Sequence, residues 1–157
     1  MRWVGRLPKP ARKAAFTGYR LAFHAMTLGV RVMAHDGGRV LLVRHTYVPD
    51  WHLPGGGVER GETVEQAALK ELSEETHLTP TGALVLRSFH RNGRHSRYDH
   101  VAFFELDAFA EGAPFRPNGE IAECRFFDLD ALPEGLDRSS RARIEEVRTG
   151  RAAHPDW

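Results

Sequence analysis

Three glutamates crowd little more than one helical turn in Lys70-Glu71-Leu72-Ser73-Glu74-Glu75-Thr76. Glu71 and Glu75 are four residues apart, so a helix puts them on one face, with Glu74 beside them. Two like charges about 4 Å apart oppose each other by roughly 4 kcal/mol at an effective dielectric of about 20. A helix that needed only solubility would mix Lys among them. A divalent cation resolves the repulsion, because hard cations take carboxylate oxygens. The competing reading is a solvated acidic face, the usual meaning of a run of charge. The upstream spacing favours the cation. Gly56 is followed after five residues by Glu62 and after seven more by Lys70, and Leu53-Pro54-Gly55-Gly56-Gly57 leads in. Such a glycine run makes a tight turn, or lets backbone approach metal or phosphate closely.

This array resembles the Nudix box: Gly, five residues, Glu, seven residues, then Arg-Glu-aliphatic-any-Glu-Glu-any-Gly-aliphatic. Gly56 to Leu78 match seven of its nine restricted positions, with Lys70 for Arg and His77 for Gly. The resemblance extends over roughly residues 28 to 133. It implies a Nudix-like α/β fold, an α/β/α sandwich with a mixed central sheet, here as a single domain over 1–157 with 1–27 as a helical extension. It implies that Glu71, Glu74 and Glu75 hold Mg²⁺, with Mn²⁺ as a substitute, and that a carbonyl near Gly56 joins the metal shell. Glu62 matches the residue that supports the loop–helix geometry. Lys70 keeps the charge of the family's Arg but loses the planar fork, so a looser brace is expected. His77 stands where Gly suits a left-handed backbone; His is enriched there among other residues, at roughly 1 kcal/mol. In the family, a Glu just ahead of a late strand often completes the metal site or acts as base. Glu120, in Asn118-Gly119-Glu120-Ile121-Ala122-Glu123, matches that place, and its plain reading is an exposed loop acid.

Hydrophobic patterning around the box alternates strands and helices. Residues 9–25 read as a helix opened by Pro10, with Gly18 against it. Leu28 to Ala34 and Arg39 to His45 are β-rich runs across Asp36-Gly37-Gly38, a hairpin signal. Val40 to Val43 is continuously apolar, so that strand is expected to be buried on both faces. Tyr47 to His52 reads as a loop. Thr63-Val64-Glu65-Gln66 forms a capping box that opens a helix ending near Thr76. Its apolar stripe, Val64, Ala67, Ala68 and Leu72, leaves Glu71, Glu74 and Glu75 at the edge of the core or beyond. Ala83 to His90 and Tyr98 to Asp107 read as a second hairpin, Ala108 to Asn118 as a loop, and Glu120 to Asp128 as a strand with Phe126 and Phe127 in the core. Ser139 or Ser140 is expected to cap a last helix that stops before Gly150.

Candidate substrate contacts come from cations and aromatics near these elements. His90 to His100 holds Arg91, Arg94 and Arg97; it is either a solvated hairpin tip or a phosphate clamp using Arg91 or Arg97. Arg44 ends the buried strand and reaches either water or substrate. Trp51 and Tyr47 stack on a base or cover the core edge. Zinc is excluded for His90, His95 and His100, whose spacing does not align three rings on one strand face.

Composition bounds the function classes. Twenty-two basic and 21 acidic side chains nearly cancel, which argues against a general nucleic-acid or membrane binder. No apolar run approaches 18 residues, so no membrane span is expected. One cysteine, Cys124, fits a reducing compartment, and cytoplasm is the expected location. The N-terminal helix pairs two subunits as a homodimer or covers an open sheet face. The resemblance implies Mg²⁺-dependent hydrolysis of the diphosphate bridge in a nucleoside diphosphate linked to another moiety. The alternatives are a nucleotide-sensing domain without turnover, or the family's isomerase branch, whose Cys-and-Glu chemistry Cys124 is poorly placed to serve.

Overall fold

The computed structural model describes residues 26–157 except residue 95, together with Pro10, Ala14 and Gly18, which are helical. The helix expected over 9–25 otherwise lies outside the described residues. The elements are β1 (Thr27–Ala34), β2 (Arg39–His45), β3 (Trp51–His52), α1 (Val64–Thr76), β4 (Leu78–Pro80), β5 (Val85–Arg91), β6 (Asp99–Leu106), β7 (Phe109–Glu111), β8 (Ile121–Asp128) and α2 (Arg138–Thr149).

A mixed sheet runs β1-β6-β5, with β1 parallel and β5 antiparallel to β6. An antiparallel sheet runs β3-β2-β8, and β4 pairs with β7. Alternating side chains divide the core in two. Val30 and Val32 of β1, Leu41 of β2 and Ala102 and Phe104 of β6 face Ala67, Ala68 and Leu72 of α1. Met33, Val40, Leu42 and Phe103, from the same strands, point the other way toward Ile144 of α2. Each of these strands is therefore covered on both faces, and the result is the expected layered α/β arrangement. Val40 to Val43 are all buried, as the continuous apolar run requires. No helix among the described residues is long and apolar enough to cross a membrane.

The expected hairpin between β1 and β2 does not form. Asp36-Gly37-Gly38 does turn: the Asp36 carboxylate accepts from the Gly38 and Arg39 amides, and Gly37 has φ +87°. A single His35–Val40 bridge follows, and the strands then part into different sheets. The free edge of β1 is taken by the glycine-rich segment instead. Val30 and Val32 amides donate to the Gly56 and Pro54 carbonyls at 2.9 Å each, and the Val58 amide donates to the Leu28 carbonyl at 2.8 Å. β2 in turn sits between β3 and β8, which suits a strand apolar on both faces.

Local signals fared better. Thr63 Oγ1 accepts from the Gln66 amide at 3.1 Å and Gln66 Oε1 accepts from the Thr63 amide at 2.9 Å, completing the capping box. His77 closes α1 in the left-handed region at φ 60°. The β5–β6 hairpin forms as expected. Asp137, rather than either serine, caps α2, its carboxylate accepting from the Ser140 amide at 2.9 Å. The Ser140 hydroxyl is occupied elsewhere, accepting from the Leu53 amide at 3.2 Å. The short strands β3, β4 and β7 fall in or beside segments that read as loops, because two or three residues carry no periodicity.

Candidate active site in the cleft between the glycine-rich segment and α1

Pairing with β1 holds the glycine-rich segment against the acidic end of α1. A Cβ at Gly55 would run into the Val30 carbonyl, and its φ of +144° is open only to glycine. A Cβ at Gly56 would stand 2.5 Å from Glu71 Oε1, so glycine there makes room for that carboxylate. Arg31 pins the turn from below, donating to the Leu53 and Gly55 carbonyls at 3.0 and 2.7 Å. Lys70 braces the approach to the helix, reaching Glu59 and Glu62 at 3.2 Å each, while Glu62 accepts from the Glu59 amide at 2.5 Å. These are point-charge contacts, as Lys rather than Arg dictates.

Glu75 departs from the expected edge position: it is buried, with 4% of its side chain exposed. Its Oε2 accepts from the Gly55 amide at 2.8 Å. Burial pushes its pKa up to about 7, with Glu71 and Glu120 adding to the rise, while the Gly55 amide and Arg31 pull against it. The reason for the burial is geometric. Glu75 lies one turn after Glu71 and next to buried Thr76, where the helix closes on the glycine segment. Glu71 is also raised, first by burial and then by Glu74 and Glu120 against the lowering effect of Lys70.

His45 ends β2 on the face it shares with Leu41, and its Nε2 lies 3.7 Å from Glu75 Oε1. Burial, then Arg31 and His52, lower the imidazole pKa. Burial thus disfavours the charged form of both His45 and Glu75, despite their proximity. Glu120, exposed at the start of β8, completes the group: one ligand atom from each of His45, Glu75 and Glu120 lies within 4.8 Å of the others. Arg31, His45, Tyr47, Gly56, Glu71 and Glu120 line a cleft of about 340 Å³.

The donor chemistry suits a divalent cation. Glu71 and Glu120 line the cleft with Glu75 buried beside it, the charged forms of Glu71 and Glu75 are disfavoured by burial, and Arg31 spends hydrogen bonds on carbonyls instead of on Glu75. The Gly56 carbonyl has one lone pair committed to the Val30 amide. Glu74 is exposed and outside the cleft lining.

The four expected substrate contacts are dispersed. Arg44 pairs with Glu123 and stacks 5.6 Å over Trp51, on the face of β2 away from His45. Trp51 packs edge-on against Phe127 at 4.8 Å, beside the second core cluster. Arg91 pairs with Asp156 at 2.7 Å, where the C-terminal segment lies along β5. Arg97 is exposed and packs 4.6 Å over the Tyr98 ring. None of the four lines the cleft. Sequence reasoning missed Arg31, His45 and His52. A charge in the apolar run Leu28 to Ala34 was a signal for Arg31, and the Leu41-Val43-His45 alternation a signal for His45. Cys124 packs against the first core cluster, and burial pushes its thiol up to about 12.

Comparison with known proteins gives the same frame. The chain is similar to an RNA pyrophosphohydrolase of Caulobacter vibrioides, 48% identical over 59 residues, which cover 36% of this chain and 34% of that protein. The first curated relatives it matches are likewise covered over only about a third of their length. An ADP-ribose pyrophosphatase of Methanocaldococcus jannaschii is 32% identical over 122 residues, 75% of this chain and 70% of the relative. The fold is similar to the crystal structure of a MutT NUDIX hydrolase from Burkholderia pseudomallei, with a TM-score of 0.67 at 24% identity over 78% of this chain and 98% of that one. The NUDIX domain profile matches residues 24–147, most of the chain, and with the glutamates and glycines folded into one cleft, the protein belongs to the NUDIX domain family.

Proposed function

We propose that this protein is a Mg²⁺-dependent pyrophosphohydrolase that cleaves the diphosphate bridge of a nucleoside diphosphate linked to another moiety, with Mn²⁺ able to substitute. The observation that carries this reading is Glu75, buried one helical turn after Glu71 beside a glycine-lined cleft, with a carboxylate oxygen within 4.8 Å of ligand atoms of His45 and Glu120. A cation held by Glu71, Glu75 and Glu120 would neutralise the bridge oxygens and lower the pKa of the attacking water. Glu74 enters the proposal as an outer carboxylate that adds to the negative field. Glu120, exposed at the cleft, would accept the water's proton, with Glu75 as the other candidate base on the strength of its raised pKa. Arg31 lines the cleft and can meet a phosphate oxygen by a charge-assisted hydrogen bond. Tyr47, mostly exposed at the rim, offers a ring on which a base can stack.

A screen of diphosphate-linked nucleotides with Mg²⁺ and Mn²⁺, with both products identified, tests the reading. ADP-ribose is the first substrate to try, since one relative is named for it; a 5′-triphosphorylated RNA represents the competing class. Release of two phosphate monoesters from a diphosphate-linked small molecule is the expected result. Tight nucleotide binding without turnover would assign a sensing role instead.

The arginine hairpin belongs to the same proposal. If Arg91 or Arg97 closes on substrate phosphate, Ala at that position raises KM about 10- to 100-fold and leaves kcat nearly unchanged, the loss of a charge-assisted hydrogen bond of roughly 1.5–3 kcal/mol. Unchanged kinetics in both variants would return the hairpin to a solvated surface and leave Arg31 as the cleft's phosphate contact.

A further inference from the structure

Resting on the cation site proposed above, we propose that His45 is a nitrogen ligand of that cation, so the site binds its substitute ion Mn²⁺ with higher affinity than Mg²⁺. His45 is buried, with 8% of its side chain exposed, yet among the described residues its ring has no hydrogen-bond partner, where one is expected of a buried polar group. Nδ1 is enclosed and has no partner among the described residues, which leaves Nε2 as the nitrogen that faces the carboxylates. Nε2 faces Glu75 Oε1 at 3.7 Å, too far for a hydrogen bond. Two ligand atoms each about 2.1 Å from one ion lie roughly 3–3.5 Å apart at tetrahedral or octahedral angles. The His45–Glu75 separation is thus close to that of two atoms sharing a cation. Glu120 brings a third ligand atom within 4.8 Å of both.

The position is set by the fold. His45 is the last residue of β2, and a register shift between Arg44 and His45 places it opposite Ile121, next to Glu120. Tyr47 and His52 flank the ring at 5.2 and 6.0 Å between centroids, which limits its orientation. An imidazole beside two carboxylates is a mixed nitrogen–oxygen set. Mg²⁺ takes oxygen and holds its waters, whereas the first-row dications accept imidazole, Mn²⁺ least readily among them but more so than Mg²⁺.

Pulsed EPR of Mn²⁺ bound to the full chain, with Mn²⁺ and Mg²⁺ affinities measured by calorimetry, tests this on the wild type and on His45→Gln. The wild type is expected to show a directly bound ¹⁴N coupling and to bind Mn²⁺ at least about tenfold more tightly than Mg²⁺. His45→Gln should lose the coupling and weaken Mn²⁺ binding about 10- to 100-fold, while Mg²⁺ affinity moves less than about threefold. Mn²⁺ binding without ¹⁴N coupling in the wild type, or a variant that loses both cations equally, overturns the His45 assignment and leaves the carboxylate site standing. No Mn²⁺ or Mg²⁺ binding in the wild type overturns both. Melting in chelator checks that the variant folds; should it not, the wild-type coupling alone decides.

Discussion

Glu75→Gln lowers turnover at least about a hundredfold while the protein still folds. The size follows from removing one charge from a cluster that must stabilise a developing phosphoryl charge. Survival of the fold follows from where Glu75 sits. Gln has the same shape, and its amide oxygen can still accept from the Gly55 amide, the only hydrogen bond of this carboxylate among the described residues. The substitution also removes a carboxylate whose charged form is disfavoured by burial and by Glu71 and Glu120. Steady-state kinetics on the substrate found in the screen, beside circular dichroism, checks both halves. Near-normal turnover at saturating cation would mean that the buried carboxylate is not part of the machinery.

The second large effect is on stability against pH. Glu75 has its pKa raised from 4.5 to about 7 in the folded protein, so between those values the folded state holds a proton that the unfolded state releases. Stability from this group is therefore full below about pH 4.5 and is lost as pH rises through about 7, by on the order of 3 kcal/mol. His45, His52 and His90 act in the opposite sense, since burial lowers their pKa values and stability from them is lost as pH falls through the folded values. The raw curve mixes the two. The difference between wild type and Glu75→Gln isolates Glu75: in chelator, the wild type should lose ground to the variant steadily from pH 4.5 to 7. Added Mn²⁺ or Mg²⁺ should raise the melting temperature of the wild type more at pH 8 than at pH 5, because protons compete for the same oxygens. Parallel curves for the two proteins, together with a melting temperature indifferent to either cation, would remove Glu75 from the site.

The sequence by itself determined what hydrogen bonds and periodicity over a few residues can encode. Thr63 and Gln66 cap α1 because the partners are three residues apart, and His77 ends it because the left-handed position follows directly. Val40 to Val43 announced a strand buried on both faces, and it is one. The box spacing marked Gly56, Glu71 and Glu75 as neighbours, and they are. Only the tertiary structure decided which partner each strand edge took. Asp36-Gly37-Gly38 turns the chain, but the hairpin it signals does not form, because the glycine-rich segment outcompetes β2 for β1, a choice made by residues some twenty positions away. That choice sets the site. It brings the Gly55 amide to Glu75, buries a carboxylate that a helical wheel places at the edge, and turns His45 and Arg31 into the cleft. The same long-range packing sends Arg44 and Trp51 to the opposite face of β2 and ties Arg91 to Asp156. Charge and aromaticity are visible in a sequence. The face a residue occupies depends on strand register and on what packs behind it, and neither is fixed until the chain closes on itself.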